Sequence, residues 1–161
     1  CGNGTYTASL VDSADSIVAT DLSQPMLEVT KIRFEHETKV VVEQADCFAL
    51  HYPDASFDTV FMANLLHVIP NPVDALQECM RVLKPGGQII VVSFTLHEMS
   101  FFNKLALKYR YIRKYGAKSA SSTLMTPVLA HELTATAGFQ NVSTEMLGKR
   151  VKAVYLNAVK N

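Results

Sequence analysis

The chain opens on a glycine-rich segment, Cys1-Gly2-Asn3-Gly4-Thr5, and the apolar run that comes after it ends in an acid at Asp21. Two glycines one residue apart let the backbone turn sharply and leave room for a ligand where a Cβ would otherwise stand. An acid at the end of the following strand can accept hydrogen bonds from both hydroxyls of a ribose. The combination therefore indicates a nucleoside-binding site.

Composition excludes several classes of protein. The 161 residues, 48% of them hydrophobic and 19% charged, suit one soluble α/β domain. Fifteen basic residues balance fifteen acidic ones, which argues against a nucleic-acid partner. The three cysteines (Cys1, Cys47 and Cys79) lack the pairing of a metal site or a disulfide scaffold, so we expect no metal and a reducing cytoplasm. No apolar run reaches the ~18 residues of a membrane span.

Helical and β-branched apolar segments alternate along the chain, which predicts a doubly wound, mostly parallel sheet. Gly148 lies between two further strand-like runs and predicts a closing antiparallel hairpin. The predicted helices cover residues 4–11, 24–34, 73–83, 98–116 and 127–137, with a small-residue loop at 119–123. The predicted strands cover residues 16–20, 40–42, 57–63, 89–94, 140–146 and 151–159.

With the stretches 45–64 and 81–94 added to the glycine loop, the chain resembles the class I S-adenosylmethionine-dependent methyltransferases. Within them it is similar to the type 11 branch, which includes the ubiquinone and menaquinone methyltransferases. The most recognisable stretch is the heptad Arg81-Val82-Leu83-Lys84-Pro85-Gly86-Gly87, whose physical role is to stop a helix and lead tightly into a strand.

The resemblance implies a Rossmann-like fold, a cofactor-binding half at 1–97, and acceptor-side helices with a closing hairpin at 98–161. It implies an enzyme that moves a methyl group from S-adenosylmethionine to a small-molecule acceptor by in-line displacement. In the family the glycine loop follows a central strand. We therefore expect that the first strand is missing from this chain and that the chain is a fragment.

The resemblance also assigns cofactor contacts. Gly2 and Gly4 would bring the backbone close to the amino-acid and ribose portions, and Asp21 would bind the ribose hydroxyls, although it could equally support the cap of the next helix. Leu22 and Met26 either touch the adenine or belong to the core.

Three further residues follow the next two strands. Asp46 would meet the adenine amino group, with Cys47 beside the ring. Asn64 would line the methionine end of the cofactor, because open α/β sheets bind ligands at the carboxyl ends of their strands.

His67 is the candidate general base, since it is the one side chain in this stretch that exchanges a proton near neutral pH. Its alternative role is helix packing. Thr95, His97 and Glu98 are weaker acceptor-side candidates. The Asn/Asp-Pro-Pro-aromatic motif of nucleobase-amine methylases is absent after Ala63, so methylation of DNA bases is disfavoured.

The segment 98–116 predicts a basic amphipathic helix, because Phe101, Leu105, Tyr109 and Ile112 recur at helical spacing between lysines and arginines. Three interpretations stay open: a lid packed over the acceptor pocket, a partner surface, or a contact with a membrane surface. Its aromatic content favours an apolar acceptor.

Two functions of other classes also fit the glycine loop. One is a module that binds adenosylmethionine without turnover. The other is a nicotinamide-dependent oxidoreductase, which is disfavoured because Thr7 stands where such sites usually have a third glycine. The sequence leaves the acceptor and the oligomeric state open.

Overall fold

The structure is a computed structural model that describes residues 1–115 and 123–161. These residues form two compact units, Cys1–His51 and Tyr52–Asn161. The helices are α1 (Thr5–Leu10), α2 (Gln24–Arg33), α3 (Pro72–Val82), α4 (Phe101–Tyr115) and α5 (Pro127–Thr136), with a short 3₁₀ turn at Val11–Ser13. The strands are β1 (Ile17–Asp21), β2 (Val40–Gln44), β3 (Phe57–Ala63), β4 (Leu83–Thr95), β5 (Gln140–Leu147) and β6 (Lys152–Val159).

The first unit is built on a parallel pair of strands. β1 and β2 pair in register from Ile17 opposite Val40 to Asp21 opposite Gln44. The helix between them, α2, begins after Ser23 with a proline in its first turn and buries Leu27. A helix that crosses between two parallel strands is the repeating unit of a doubly wound fold, as the alternation predicts.

The second unit contains a four-stranded sheet in the order β3-β4-β6-β5. β3 and β4 are parallel, whereas β6 is antiparallel to both β4 and β5. The predicted closing hairpin is therefore confirmed, and the whole is an α/β fold with a mixed sheet. Its core is apolar, since Leu76, Ile89 and Leu156 are fully buried together with residues of α5.

The heptad at residues 81–87 adopts a different structure from the one expected. β4 already begins at Leu83, which pairs with Phe57, and the next pairs join Thr59 to Gln88. Residues 84–87 of β4 are therefore opposite a single residue of β3, Asp58, and interrupt the regular pairing of the two strands. Lys84 Nζ forms an ion pair of 2.8 Å with Asp58 Oδ1 across this interruption. The heptad ends the helix as predicted. It then forms a bulge within β4, whereas a tight turn before the strand was expected.

Helix α4 is confirmed as a helix, but three of the four residues of its predicted apolar stripe are exposed. Phe101 is 73% exposed, Leu105 56% and Tyr109 66%. The packing expected of a lid is thus absent for these three side chains. Residue 116 and the loop residues 119–122 lie outside the described part of the chain.

None of the helices in residues 1–115 and 123–161 combines the length and the apolarity needed to cross a bilayer. Each of the two units is compact by itself, and the organisation of residues 1–161 as a single domain stays a prediction.

Candidate functional site

Asp21 ends β1, and its carboxylate fastens the glycine loop to the start of α2. Oδ2 accepts a hydrogen bond from the backbone N–H of Gly2 at 2.7 Å, and Oδ1 accepts one from the N–H of Ser23 at 2.9 Å. The nitrogen of Cys1 lies 3.1 Å from the same Oδ2. These contacts use three of the about four lone-pair positions of the carboxylate and leave one on Oδ1 for a ribose hydroxyl, so the predicted alternatives for Asp21 are compatible.

The charge state of Asp21 suits an acceptor of hydrogen bonds. Burial by itself raises the pKa of this carboxyl, whereas the hydrogen bonds from the N–H groups of Ser23 and Gly2 lower it, and the pKa lies below its usual value. The side chain keeps 23% of its surface exposed. Asp21 is thus an ionised and reachable acceptor at neutral pH.

Gly2 and Gly4 differ in what surrounds them, although both have a left-handed φ, of 57° and 76°. A Cβ on Gly2 would meet no atom within 4 Å. A Cβ on Gly4 would stand 2.7 Å from Cε2 of Phe34. Gly2 therefore leaves open space of the kind a ligand could use, whereas Gly4 lets the loop pack against the end of α2.

Thr30 is a site residue that the sequence analysis missed. It is fully buried on α2, and its hydroxyl donates a hydrogen bond of 2.8 Å to the carbonyl of Gly2. The loop is thus held at Gly2 from two sides, by Asp21 and by Thr30. A threonine among the buried positions of a helix was the available signal, but nothing in the sequence indicates a partner 28 residues away.

The other predicted adenine contacts lie at the same carboxyl edge of this parallel pair. The N–H of Ala45 donates to the carbonyl of Asp21 at 3.3 Å, which keeps the ends of β1 and β2 together. Leu22 and Met26 are 65% and 41% exposed, so they are not core residues. An accessible apolar pair beside Asp21 has the character of a surface for a flat ring.

Asp46 and Cys47 form a tight turn after β2. Oδ1 of Asp46 accepts the N–H of Phe48 at 3.0 Å, and the side chain is otherwise exposed. Burial raises the pKa of the Cys47 thiol, and the charge of Asp46 raises it further. Cys47 is therefore an uncharged thiol at neutral pH and is suited to packing rather than to nucleophilic attack.

In the second unit, Asn64 closes the carboxyl end of β3. Its φ is 53°, its N–H donates to Val92 at 2.7 Å, and its Oδ1 accepts the N–H of Phe94 at 3.0 Å. Asparagine tolerates the left-handed region better than most residues. Asn64 thus ties the ends of β3 and β4 together, a structural role that the sequence analysis did not assign.

His67 follows on the same connection and lies against β4. Its Nδ1 is 3.4 Å from the hydroxyl of Ser93, which is buried, and its ring meets Phe94 edge to face at 6.4 Å between centroids. Burial lowers the pKa of His67, so the imidazole is neutral at pH 7. Ser93 was missed as a neighbour, although a hydroxyl within an apolar strand is a visible signal.

The three weaker candidates after β4 are not equivalent. Thr95 is buried, and its hydroxyl donates to the carbonyl of Met125 and accepts the N–H of His97 at 3.0 Å. His97 Nε2 lies 3.7 Å from a carboxylate oxygen of Glu98. Thr95 therefore has a structural role, while His97 and Glu98 stay reachable at the carboxyl end of β4.

The residues of the first unit fit an adenosine-containing cofactor. Asp21 is an ionised acceptor for the hydroxyls of a ribose, and Gly2 leaves space for a ligand to approach the backbone. Leu22 and Met26 are an apolar surface for the adenine ring. Within residues 1–115 and 123–161, no three His, Cys, Asp or Glu side chains are grouped so that they could hold a metal ion.

Comparison with known proteins gives a consistent result. A family model described as "Methyltransferase domain" matches residues 1–91. A demethylmenaquinone methyltransferase of Clavibacter sepedonicus is 39% identical over 94 residues, which are 58% of this chain and 38% of that protein. One of Bacillus licheniformis is 31% identical over 112 residues, 68% of this chain and 48% of that protein. The chain thus spans less than half of the length of either relative.

Among solved structures, a SAM-dependent methyltransferase of Methanosarcina mazei superimposes with a TM-score of 0.77 at 18% identity. The match covers 99% of this chain and 89% of that one. At this level of identity the likeness concerns the fold.

Proposed function

The chain belongs to the methyltransferase domain family, and from that premise we propose that the protein transfers a methyl group from S-adenosylmethionine to a small-molecule acceptor. The observation that carries the proposal is the carboxylate of Asp21. It is ionised, reachable, and held by the backbone N–H groups of Gly2 and Ser23 at the carboxyl end of β1. A ribose diol requires an acceptor of this kind.

In this proposal the first unit holds the adenosine portion. Asp21 binds the ribose hydroxyls, and Gly2 allows close approach of the amino-acid portion. Gly4 allows that loop to pack against Phe34, which holds the loop in place. Leu22, Met26, Asp46 and Cys47 contact the adenine. The contact of Asn64 with the methionine end of the cofactor stays a prediction.

When bound, S-adenosylmethionine supplies a methyl carbon that its positively charged sulfur makes open to attack. The protein has to hold the acceptor and remove its proton. His67 is the proposed general base, because burial keeps its imidazole neutral at pH 7. In the tautomer that the proposal requires, Nδ1–H donates to the hydroxyl of Ser93, 3.4 Å away, and Nε2 accepts the proton of the acceptor.

The acceptor is proposed to be small and apolar. The curated relatives above are named as demethylmenaquinone methyltransferases, which supports a small-molecule acceptor. The apolar character of the acceptor rests on the aromatic content of the sequence at 98–116. Neither a module without turnover nor a nicotinamide-dependent oxidoreductase has an observation in its favour.

The experiment is a calorimetric titration of the protein with S-adenosylmethionine, its demethylated product and NAD. We expect the first two to bind and NAD not to bind. Asp21→Asn should weaken binding about tenfold to a hundredfold, since a hydrogen bond to a charged group contributes about 1.5–3 kcal/mol. Asp15→Asn, at an exposed acid of the same unit, is the matched control and should change nothing.

Two results would contradict the proposal. Tight binding of NAD with no response to S-adenosylmethionine would identify a different enzyme class. An unchanged dissociation constant in a folded Asp21→Asn protein would mean that the acid only supports the start of α2.

A further inference from the structure

Helix α4 carries a cluster of positive charges, although the chain as a whole has no net charge. Its 15 residues include Lys104, Lys108, Arg110, Arg113 and Lys114 and no acid, whereas the whole chain has fifteen basic and fifteen acidic residues. A basic amphipathic helix is typical of a segment that binds an anionic surface. The local charge of α4 therefore favours an anionic partner even though the net charge of the chain is zero.

Four large apolar or aromatic residues of α4 share one side of the helix. At about 100° per residue, Phe101, Phe102, Leu105 and Tyr109 fall within an arc of roughly 100°. All four are exposed, from 56% for Leu105 to 80% for Phe102. The rings of Phe101 and Phe102 touch edge to face, with centroids 5.9 Å apart. We call these four residues the aromatic face.

A different side of α4 borders a groove within the same unit. Asn103, Ala106, Leu107 and Arg110 line this groove together with Arg150 and Val151 of the β5–β6 connection. By the same helical spacing, these four α4 residues lie between roughly 90° and 170° from the centre of the aromatic face. The groove and the aromatic face are therefore on different sides of the helix.

Basic residues border the aromatic face on both edges. Lys104 and Arg113 are exposed, and helical spacing places one on each side of the arc. Lysine and arginine can lay their aliphatic stems along an apolar boundary while their charged ends reach outward. A band of aromatic residues between two basic edges is the pattern of a helix that lies in the interface of a bilayer.

We propose that α4 is a membrane-docking helix that binds the surface of an anionic lipid bilayer. The aromatic face enters the boundary between headgroups and acyl chains, and Lys104 and Arg113 contact phosphate and carboxylate groups of the lipids. The helix lies in the plane of the membrane, since its 15 residues extend only about 22 Å. A protein partner is the less favoured occupant, because exposed basic residues on both edges of an apolar face match the charge and the apolar interior of an anionic bilayer. The proposal is independent of methyl transfer.

Sedimentation of the protein with lipid vesicles tests this proposal without any measurement of turnover. The vesicles are phosphatidylcholine alone, or phosphatidylcholine with about one third phosphatidylserine. We expect at least tenfold tighter binding to the anionic vesicles, and loss of most of that difference at about 0.5 M salt, where charges are screened within a few ångströms.

Variants of α4 separate the two parts of the surface. Phe101→Ser/Phe102→Ser should reduce binding to anionic vesicles at least tenfold, and Lys104→Glu/Arg113→Glu should do so roughly 25-fold or more, at about fivefold for each charge removed. Val128→Ser, which changes a 67% exposed side chain on α5, and Lys31→Glu, at an exposed lysine of α2, are the matched controls and should bind as well as the unchanged protein.

Equal binding to neutral and anionic vesicles would overturn the proposal, as would α4 variants that bind like the controls. Self-association of the protein that the Phe101→Ser/Phe102→Ser change abolishes, in the absence of vesicle binding, would also overturn it and would assign the face to a second copy. Circular dichroism of each variant confirms that it is folded. The titration with S-adenosylmethionine should give the same result for all of these variants. The vesicle assay therefore tests membrane binding even if the proposed methyl transfer is wrong.

Discussion

Replacement of Gly4 by alanine tests whether the glycine loop is built around its contact with α2. Two costs add in the folded state. A residue with a Cβ at a φ of 76° is disfavoured by about 1–2 kcal/mol. The new Cβ would also stand 2.7 Å from Cε2 of Phe34 and 3.2 Å from Cγ2 of Thr30. Crowding of this kind costs about 1–3 kcal/mol, so we expect a loss of about 2–5 kcal/mol in the free energy of unfolding.

Gly2→Ala is the matched control, because its φ of 57° carries the same backbone cost but its Cβ would meet nothing within 4 Å. It should lose only about 1–2 kcal/mol. Urea unfolding followed by far-ultraviolet circular dichroism measures both losses. Phe34→Leu in the Gly4→Ala background should recover part of the difference, because it removes the crowded ring atom. Equal losses for the two alanine variants would refute the reasoning and show that Phe34 moves aside without cost.

Two further outcomes follow from the second unit. His67→Gln should lower kcat about 10²–10⁴-fold. It should also remove the fall of kcat/KM at low pH that protonation of His67 causes; the pKa of His67 lies below 6.5 because the ring is buried. The same burial favours the neutral ring in the folded state, so the contribution of neutral His67 to stability is complete above pH 6.5 and is lost as the pH falls through the lowered pKa. His67→Gln should therefore make the unfolding free energy less dependent on pH in that range. An unchanged pH profile would contradict this. Thr95→Val should cost about 1–3 kcal/mol in urea unfolding because it leaves the carbonyl of Met125 and the N–H of His97 unpaired. Thr136→Val, at an exposed threonine that bonds within α5, is its control and should cost less; a similar cost at both positions would count against the buried bond.

Local signals predicted the helices and strands well. Ser23, Pro25 and the apolar positions after them predict α2 to within one residue of its observed end, and β3 covers the predicted residues 57–63. These features depend on neighbours a few residues apart, which the sequence displays directly. The order of helices and strands then limits the topology to a few possibilities, so the fold class was also predictable.

The parts that escaped prediction depend on distant contacts. Spacing shows that Phe101, Leu105 and Tyr109 share a side of α4, but it does not show what covers that side, and in the structure it is exposed. The pairing of Thr30 with Gly2 and of Ser93 with His67 joins residues 28 and 26 positions apart. Gly4 looked like a ligand-facing glycine, and only the position of Phe34 reveals its packing role.

The insertion of β6 between β4 and β5 has a consequence for biosynthesis. The second edge of β4 pairs with β6 over residues 88–95, from Gln88 with Val159 to Thr95 with Lys152. That partner is separated from β4 by 57 to 71 residues. At about 5–20 residues per second, a ribosome needs roughly 3–14 seconds to make the intervening chain. During that time an apolar strand has one unpaired edge, which is the form in which chains pair wrongly with one another. The nascent protein should therefore depend on a chaperone that covers β4 until β6 arrives.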